Sequence, residues 1–457
     1  MKGTKNFMLT YDSPNDISLT AFLDKSNKQT PDSPLLTINN QTYTCSQMYD
    51  RGHSLASYLK DTGVNQGDRV VFIGYNSVQL VDLFFACHLL GAIIVPVSPK
   101  LSELEIQNIL DNCMPKLVLQ DIPDSYYAFT DKSAIFTPGA NDDMHQILYT
   151  SGSTGKPKGV MCTHKGQYLN SVVSKTMFNL KEEYVTLISG PLTFAGVINR
   201  LFTSLFTNNH IILMEKFTPE EFLRHIEKYK VNTFTLAPTM LRMLIDSKTF
   251  FEYDISSVKN IQHSGSPMSE SLLAELKEIF TDVEFYDSYG STESGTILCN
   301  NKLFSHMDAK IVSGELMLRS PTLMRGYWHN SELTDKVFTD GWYHTGDAVI
   351  KEGNEYKLVG RVTDMIISGG INIYPTEIEN VLLSHSAVSQ VAVIGVADRL
   401  WGEVPHAFVV GNATEEDLNT LCEATLTKYK KPKYYTFVES LPLNVNGKVD
   451  KQALKVL

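Results

Sequence analysis

The sequence predicts an α/β protein: a large layered N-terminal domain over residues 1–360, carrying a small β-rich lobe, and a small mobile C-terminal α+β domain over 361–457. Three observations lead there. Strand-like and helix-like runs alternate through the first two thirds of the chain. Between 300 and 360 the pattern becomes short strands separated by Gly, Asn and Asp turns. After Gly360-Arg361 helices and strands mix again over roughly a hundred residues, enough for a second compact unit.

Each element has its reason. Val70-Val71-Phe72-Ile73 is a continuous apolar run behind the Gly67-Asp68 turn, the signature of a strand buried on both faces. Leu80, Leu83, Phe84, Cys87 and Leu90 fall on one face of a helix, Gly91 ends it, and Ile93-Ile94-Val95 is the next strand. The rhythm repeats as helix 219–229, strand Thr233–Leu236, helix 239–246 and strand Asn260–His263. Leu316–Leu318, Tyr343-His344 and Tyr356–Leu358 are the strands of the β-rich lobe. Beyond the boundary come helix Glu377–Leu383, strand Val391–Gly395, strand Ala407–Val410 and helix Glu415–Leu426.

Composition narrows the function. A hydrophobic content of 43% with 20% charged residues is that of a globular protein. The net charge of −11 speaks against a general nucleic-acid binder, which would carry a basic footprint. The most apolar run, Val81–Val97, contains Asp82, His88 and Pro96, so it reads as helix, turn and strand and not as a membrane span. No secretory leader pattern opens the chain. The six cysteines are scattered without a Cys-x-x-Cys, which suits reduced thiols in the cytoplasm and neither disulfides nor zinc.

Residues 149–159, Tyr-Thr-Ser-Gly-Ser-Thr-Gly-Lys-Pro-Lys-Gly, carry the strongest chemical signal. Glycines let a backbone approach an anion closely, and successive N–H groups form a nest for it. Thr150, Ser151, Ser153 and Thr154 add hydroxyls, Gly152 and Gly155 the turns, Lys156 and Lys158 the charge. The strand before it, Gln146–Tyr149, is expected to release this loop at a sheet edge, where α/β proteins bind phosphates. It is not a Walker loop, because Thr150 and Pro157 stand where that pattern demands Gly and Ser or Thr.

The run 149–159 resembles the phosphate loop of the adenylate-forming superfamily, which includes the acyl-CoA synthetases, the adenylation domains of peptide synthetases and the luciferases. Further matches follow in the superfamily's order over essentially the whole chain. Tyr289-Gly290-Ser291-Thr292-Glu293, preceded by Asp287-Ser288, matches its Tyr-Gly-x-Thr-Glu motif. The resemblance implies that Glu293 binds Mg²⁺, Thr292 contacts the α-phosphate and Tyr289 covers the purine, all on one tight glycine turn. Gly265-Ser266-Pro267 would border the adenine, and Asp347 with Arg361 would grip the ribose. Ser368-Gly369-Gly370 resembles the pantetheine channel of acyl-CoA synthetases, and Lys448 matches the adenylation lysine. Thr363 stands at the hinge position, where relatives usually have Asp or Lys. Phe194 stands where many relatives have His.

The resemblance therefore implies an AMP-forming acyl-CoA synthetase that uses ATP, Mg²⁺ and CoA. The acid would be activated as an acyl-adenylate and passed to CoA. Phe194, Ile198, Ser264 and Thr296, with Gly265 and Tyr289, are the candidate acyl wall, suited to an aliphatic or aryl tail. Loading of a carrier protein is the alternative, and a nucleotide-binding regulatory relative is a third. Residues 193–197 contain no Asp to hold a substrate ammonium, which argues against an α-amino acid. Lys428, Lys430, Lys431 and Lys433 form a basic run that suits a solvated face better than a CoA phosphate site.

Overall fold

In the computed structural model, which describes residues 18–123, 126–127, 136–150, 157–266, 268–443 and 449–456, the apolar runs become the buried strands of three sheets. The first has five strands in the order Leu117–Leu119, Arg69–Ile73, Ile93–Val97, Met144–Thr150, Lys158–Thr163. All its neighbours are parallel except the last pair, an antiparallel hairpin. The Val70–Ile73 run was expected as a strand and is one. Val78–Leu90 is a helix capped by Ser77 and ended by Gly91 at φ 65°, a left-handed position where glycine carries no Cβ penalty. All of its residues but Gln79 are buried, because it lies inside the main hydrophobic core and not on the surface.

The second sheet has fourteen strands among the described residues. Its centre is parallel: Val185–Ile188, Thr233–Leu236, Asn260–Ser264 and Glu284–Ser291 run the same way. Helices fill the crossovers. Pro219–Tyr229 begins with Thr218 accepting from the Glu221 N–H, has Pro at its start and two glutamates in its first turn, and buries Phe222, Leu223 and Ile226. The strands of residues 300–360 form an antiparallel wing of this same sheet. They join it where Leu298 pairs with Leu303, whose neighbour Lys302 pairs in turn with Glu355. Phe178, Ile297, Phe304, Leu316 and Leu318 pack a common core under the junction.

The second sheet ends with Glu355–Arg361, and the next strand, Ile366–Ser368, already belongs to the third. That five-stranded sheet pairs Val388–Asp398 with Gly402–Gly411 along ten register pairs. Helices Pro375–Leu383 and Glu415–Thr425 close its core of Ile366, Ile373, Ile378, Leu382, Val393, Val409 and Leu418. No helix among the described residues is long and apolar enough to cross a membrane. All six cysteines are unpaired, and five are buried.

Candidate active site

The phosphate-loop segment connects the two strands of the hairpin. Thr150 pairs with Lys158 and Tyr149 with Gly159. The strand that feeds it is the penultimate strand of its sheet and not the edge, because Lys158–Thr163 covers it. This corrects the sheet-edge expectation. The reason is that Lys-Gly-Val-Met-Cys-Thr shows no alternation to mark it as a strand, yet gains a second partner from far along the chain. The Met161 N–H bonds the Gly326 carbonyl (3.0 Å), the Arg325 N–H bonds Met161 (2.9 Å) and the Trp328 N–H bonds Gly159 (2.7 Å). Ser151, Gly152, Ser153, Thr154, Gly155 and Lys156 lie outside the described residues, as do Pro267 and Lys448.

Segment 324–328 also ties the hairpin to the acidic turn. The Met324 N–H bonds the Glu293 carbonyl (2.7 Å), and the Tyr327 hydroxyl donates to Glu293 Oε1 (3.0 Å). Lys158 Nζ stands 5.7 Å from the centre of the Tyr327 ring. Lysine, phenol and carboxylate thus meet beside the loop, two of them foreseen from sequence. Tyr327 was not. The signal available was an aromatic pair behind Gly326, with nothing local to say which strand it would dock on.

Tyr289, Gly290 and Ser291 are strand residues, and only Thr292, Glu293 and Ser294 form the turn into Gly295–Cys299. The expected glycine turn is therefore displaced. Gly290 is needed for closeness and not for a left-handed angle: a Cβ there would stand 2.2 Å from the Gly295 carbonyl oxygen. Such overpacking against backbone costs about 1–3 kcal/mol. Gly290→Ala is expected to lower the denaturant midpoint and weaken AMP binding together. Calorimetric titration with AMP beside a urea melt checks it, and unchanged values in both would refute the close-packing account. Gly265 is the opposite case. Its φ is 91° with nothing near the missing Cβ, so it ends the strand Asn260–Ser264 in a turn open to a ligand. Ser266 beside it is exposed, and Ser264 pairs with Ser288 across parallel strands. One residue down, His263 Nδ1 lies 3.4 Å from Asp287 Oδ1, and burial holds the imidazole below its ordinary range against the pull of that carboxylate.

Asp347 and Arg361 face each other across an antiparallel pair. Arg361 Nε lies 3.0 Å from Asp347 Oδ1, and Arg361 Nη1 donates to the Thr345 carbonyl (3.0 Å). The Tyr289 hydroxyl donates to Asp347 Oδ2. Burial first, then that carboxylate, push the phenol above its ordinary range, so it stays a donor. The Asp347 side chain is 7% exposed and the Arg361 side chain 52%, so the carboxylate is fixed while the guanidinium reaches the surface.

Two other expected groups sit on other elements. Phe194 caps the helix Ala195–Thr207, whose Ile198 is fully buried, and Asn199 Nδ2 of that helix lies 3.4 Å from Thr296 Oγ1. Ser368, Gly369 and Gly370 form the turn of the hairpin in the third sheet, with the Gly369 N–H on the Trp401 carbonyl (2.7 Å). Ile367, Ile371, Leu400 and Trp401 are exposed around it. Thr363 sits in the short turn Val362–Asp364 between the two sheets. In the basic run, Lys430, Lys431 and Lys433 pair with Glu377, Glu423 and Asp398, as a solvated face would.

Magnesium fits this donor set. Among the described residues no three His, Cys, Asp or Glu converge as a resident metal site requires. A lone half-buried carboxylate such as Glu293 suits an ion that arrives on nucleotide oxygens, since Mg²⁺ is usually held by one or two carboxylates plus phosphates.

Lys158, Tyr327 and Glu293 meeting on one side, and Asp347 with Arg361 and Tyr289 on the neighbouring strands, suit a nucleotide-dependent enzyme. Residues 23–328 match the family model of the AMP-binding enzymes, and 377–448 match the AMP-binding enzyme C-terminal domain. The chain belongs to the AMP-binding enzyme family. It is 32% identical to a 2-succinylbenzoate–CoA ligase of Bacillus licheniformis, over 95% of this chain and 98% of that one. The ligase of the same name from Listeria monocytogenes is 30% identical, over 96% and 99%. Among solved structures, the o-succinylbenzoate CoA synthetase of Bacillus subtilis with its acyl-adenylate intermediate superposes with a TM-score of 0.86 at 28% identity, covering 95% of this chain and 97% of that one. The same enzyme with ATP and magnesium gives 0.84 at 28%, covering 95% and 99%. This chain is accordingly an acid–thiol ligase that forms an acyl-adenylate from ATP and transfers the acyl group to CoA. Carrier-protein loading is not favoured by these relatives.

Proposed function

We propose that adenylation takes place where Lys158, Tyr327 and Glu293 meet, with Asp347 and Arg361 holding the ribose. The observation that carries this is the docking of segment 324–328 on both the hairpin and the acidic turn. In the first step a carboxylate oxygen of the acid attacks the α-phosphorus. That P–O bond forms, the bond to the bridging oxygen breaks, and pyrophosphate leaves with the electron pair. Lys158, the Thr292 hydroxyl and Lys448 offer charge and donors to the α-phosphoryl oxygens as negative charge gathers there. Glu293 would hold Mg²⁺, which supplies neutralisation of the phosphate oxygens when bound. Asp287, Ser288 and Ser291 continue the nucleotide face of the same strand, with Tyr289 against the base. Release of the Tyr289 hydroxyl from Asp347 would free that carboxylate to accept from the ribose hydroxyls.

In the second step the CoA sulfur attacks the acyl carbonyl, the C–S bond forms, the C–O bond to phosphate breaks, and AMP leaves. The thiol proton passes to solvent. The exposed apolar surround of Gly369-Gly370 suits a narrow pantetheine arm. We assign 1–360 and 361–457 as the two functional domains, with Thr363 absorbing the backbone change between steps, and we place the enzyme in the cytoplasm.

The relatives named above act on 2-succinylbenzoate, so that acid heads the panel, with aryl and aliphatic acids behind it. Each acid is incubated with ATP, Mg²⁺ and CoA, and products are weighed. Acyl-CoA, AMP and pyrophosphate in equal amounts are expected from one acid class. ADP and inorganic phosphate instead would overturn the reading.

A further inference from the structure

The loop 74–77 leaves the first sheet at the carboxyl end of Arg69–Ile73 and reaches the second. There the Asn76 side chain, 4% exposed, meets three backbone groups from far along the chain. Its Nδ2 donates to the Gly190 carbonyl (2.8 Å) and the Met214 carbonyl (2.9 Å), and its Oδ1 accepts from the Leu192 N–H (2.8 Å). Two acceptors and one donor around the amide fix which end is oxygen and which is nitrogen. Gly190 and Met214 follow the neighbouring parallel strands Val185–Ile188 and His210–Leu213. One carboxamide thus ties strand ends of both sheets together, at the carboxyl edge where α/β proteins seat their ligands. Tyr75 beside it is exposed, with Lys216 Nζ 4.3 Å from its ring centre, a second tie to the same segment.

What Asn76 holds is the turn 190–194. The Phe194 N–H bonds the Pro191 carbonyl (3.1 Å), and the Phe194 carbonyl accepts from the N–H groups of Val197 and Ile198 (3.0 Å each). The turn therefore runs directly into the helix Ala195–Thr207. Phe194 stands at its N-cap and supplies no capping oxygen, so the helix takes its start from the backbone of the turn. Gly190 packs on the first helical turn: a Cβ there would stand 2.6 Å from Val197 Cγ2. Ile198 is fully buried and fixed by packing. Phe194 is 39% exposed, so its direction is left to the turn that Asn76 holds.

We propose that Asn76 is a positioning residue for the acyl pocket. It does not touch the acid. It sets the turn that aims Phe194 and starts the helix carrying Ile198, and through them it sets how tightly the acid binds. This role rests on the acyl wall proposed above.

The test uses the full-length enzyme with ATP, Mg²⁺, CoA and 2-succinylbenzoate as the acid. Asn76→Ala is expected to raise KM for the acid by about tenfold, the order of loss that a misplaced binding group produces. KM for ATP and kcat at saturating acid stay within about twofold. Asn76→Asp, equal in size but without the two donors, shifts the acid KM the same way and serves if the alanine variant does not fold. Phe194→Ala raises the acid KM by itself, and adding Asn76→Ala to it costs no more than about threefold further, because the group it acts through is gone. In the free wild type, hydrogen exchange at the Leu192 amide is expected to be slow before any acid binds. An unchanged acid KM in both Asn76 variants, a fall in kcat with KM unmoved, fully additive losses in the double variant, or fast Leu192 exchange overturns the proposal. A wild-type KM in Phe194→Ala sinks the acyl wall and this role with it. No turnover of 2-succinylbenzoate by wild type counts against the acid named above, and the Leu192 exchange then decides the clamp.

Discussion

Lys448→Ala is expected to lower the rate of acyl-adenylate formation by about 10²–10³-fold, the cost of removing one preorganised donor from a developing oxyanion. Thioester formation from supplied acyl-adenylate and CoA stays near the wild-type rate. The physical case is that charge grows on the α-phosphoryl oxygens and the attacking carboxylate only in the first step. In the second the phosphate is the leaving group and already carries its charge. Lys448 lies outside the described residues, but the ends of its segment are pinned. Leu443 and Val449 form an antiparallel bridge, the Asp450 N–H bonds the Pro442 carbonyl (2.8 Å), and Asp450 caps the helix Lys451–Leu454. The two half-reactions are measured apart, as pyrophosphate release and as CoA consumption from acyl-adenylate. Equal loss in both would mean that the lysine holds the fold or the acyl group and not the transition state. Lys448→Arg keeps the charge but spreads it over a planar fork, so partial recovery at most is expected.

Much of the fold was legible because it is local. Helix 219–229 and strand Thr233–Leu236 were read to the residue, since Thr218, Pro219 and the paired glutamates punctuate the first and threonines alternating with Phe234 and Leu236 mark the second. Of the site residues expected from motifs, the structure brings Asp347 and Arg361 together across one strand pair and places Glu293 on the turn that Tyr327 reaches. What escaped the sequence is set by distance along the chain. Nothing near Tyr327 says that it will reach Glu293, 34 residues away. Nothing near Lys302 says that its strand will join Glu355 and make the β-rich segment a wing of the main sheet.

Acid is expected to unfold this enzyme unusually early, because three histidines share one dry site. His88, His145 and His164 are fully buried, with ring centres 5.0 to 5.6 Å apart, and none of their six nitrogens has a partner. Phe84 and Phe202 pack against them. Burial first, then their mutual repulsion, hold His88 and His145 well below the usual 6.5, and burial brings His164 to about 4 despite the carboxylate of Asp143. For each of them the unfolded chain binds its proton first. Stability is therefore full above pH 6.5 and is lost as pH falls from 6.5 toward 4. For His164 that interval corresponds to about 3 kcal/mol. Asp82 works the other way. Burial raises it to about 7 against the pull of Arg51, so the folded chain protonates it first and offsets about one histidine. A net of about two protons remains from this cluster. The unfolding midpoint should fall steeply between pH 6.5 and 5, and His88→Phe or His164→Gln should flatten the slope by about one proton each, whatever either does to stability at pH 8. A midpoint level across that window, or variants as steep as wild type, would mean that water or a charge partner reaches the rings and that the site is not dry.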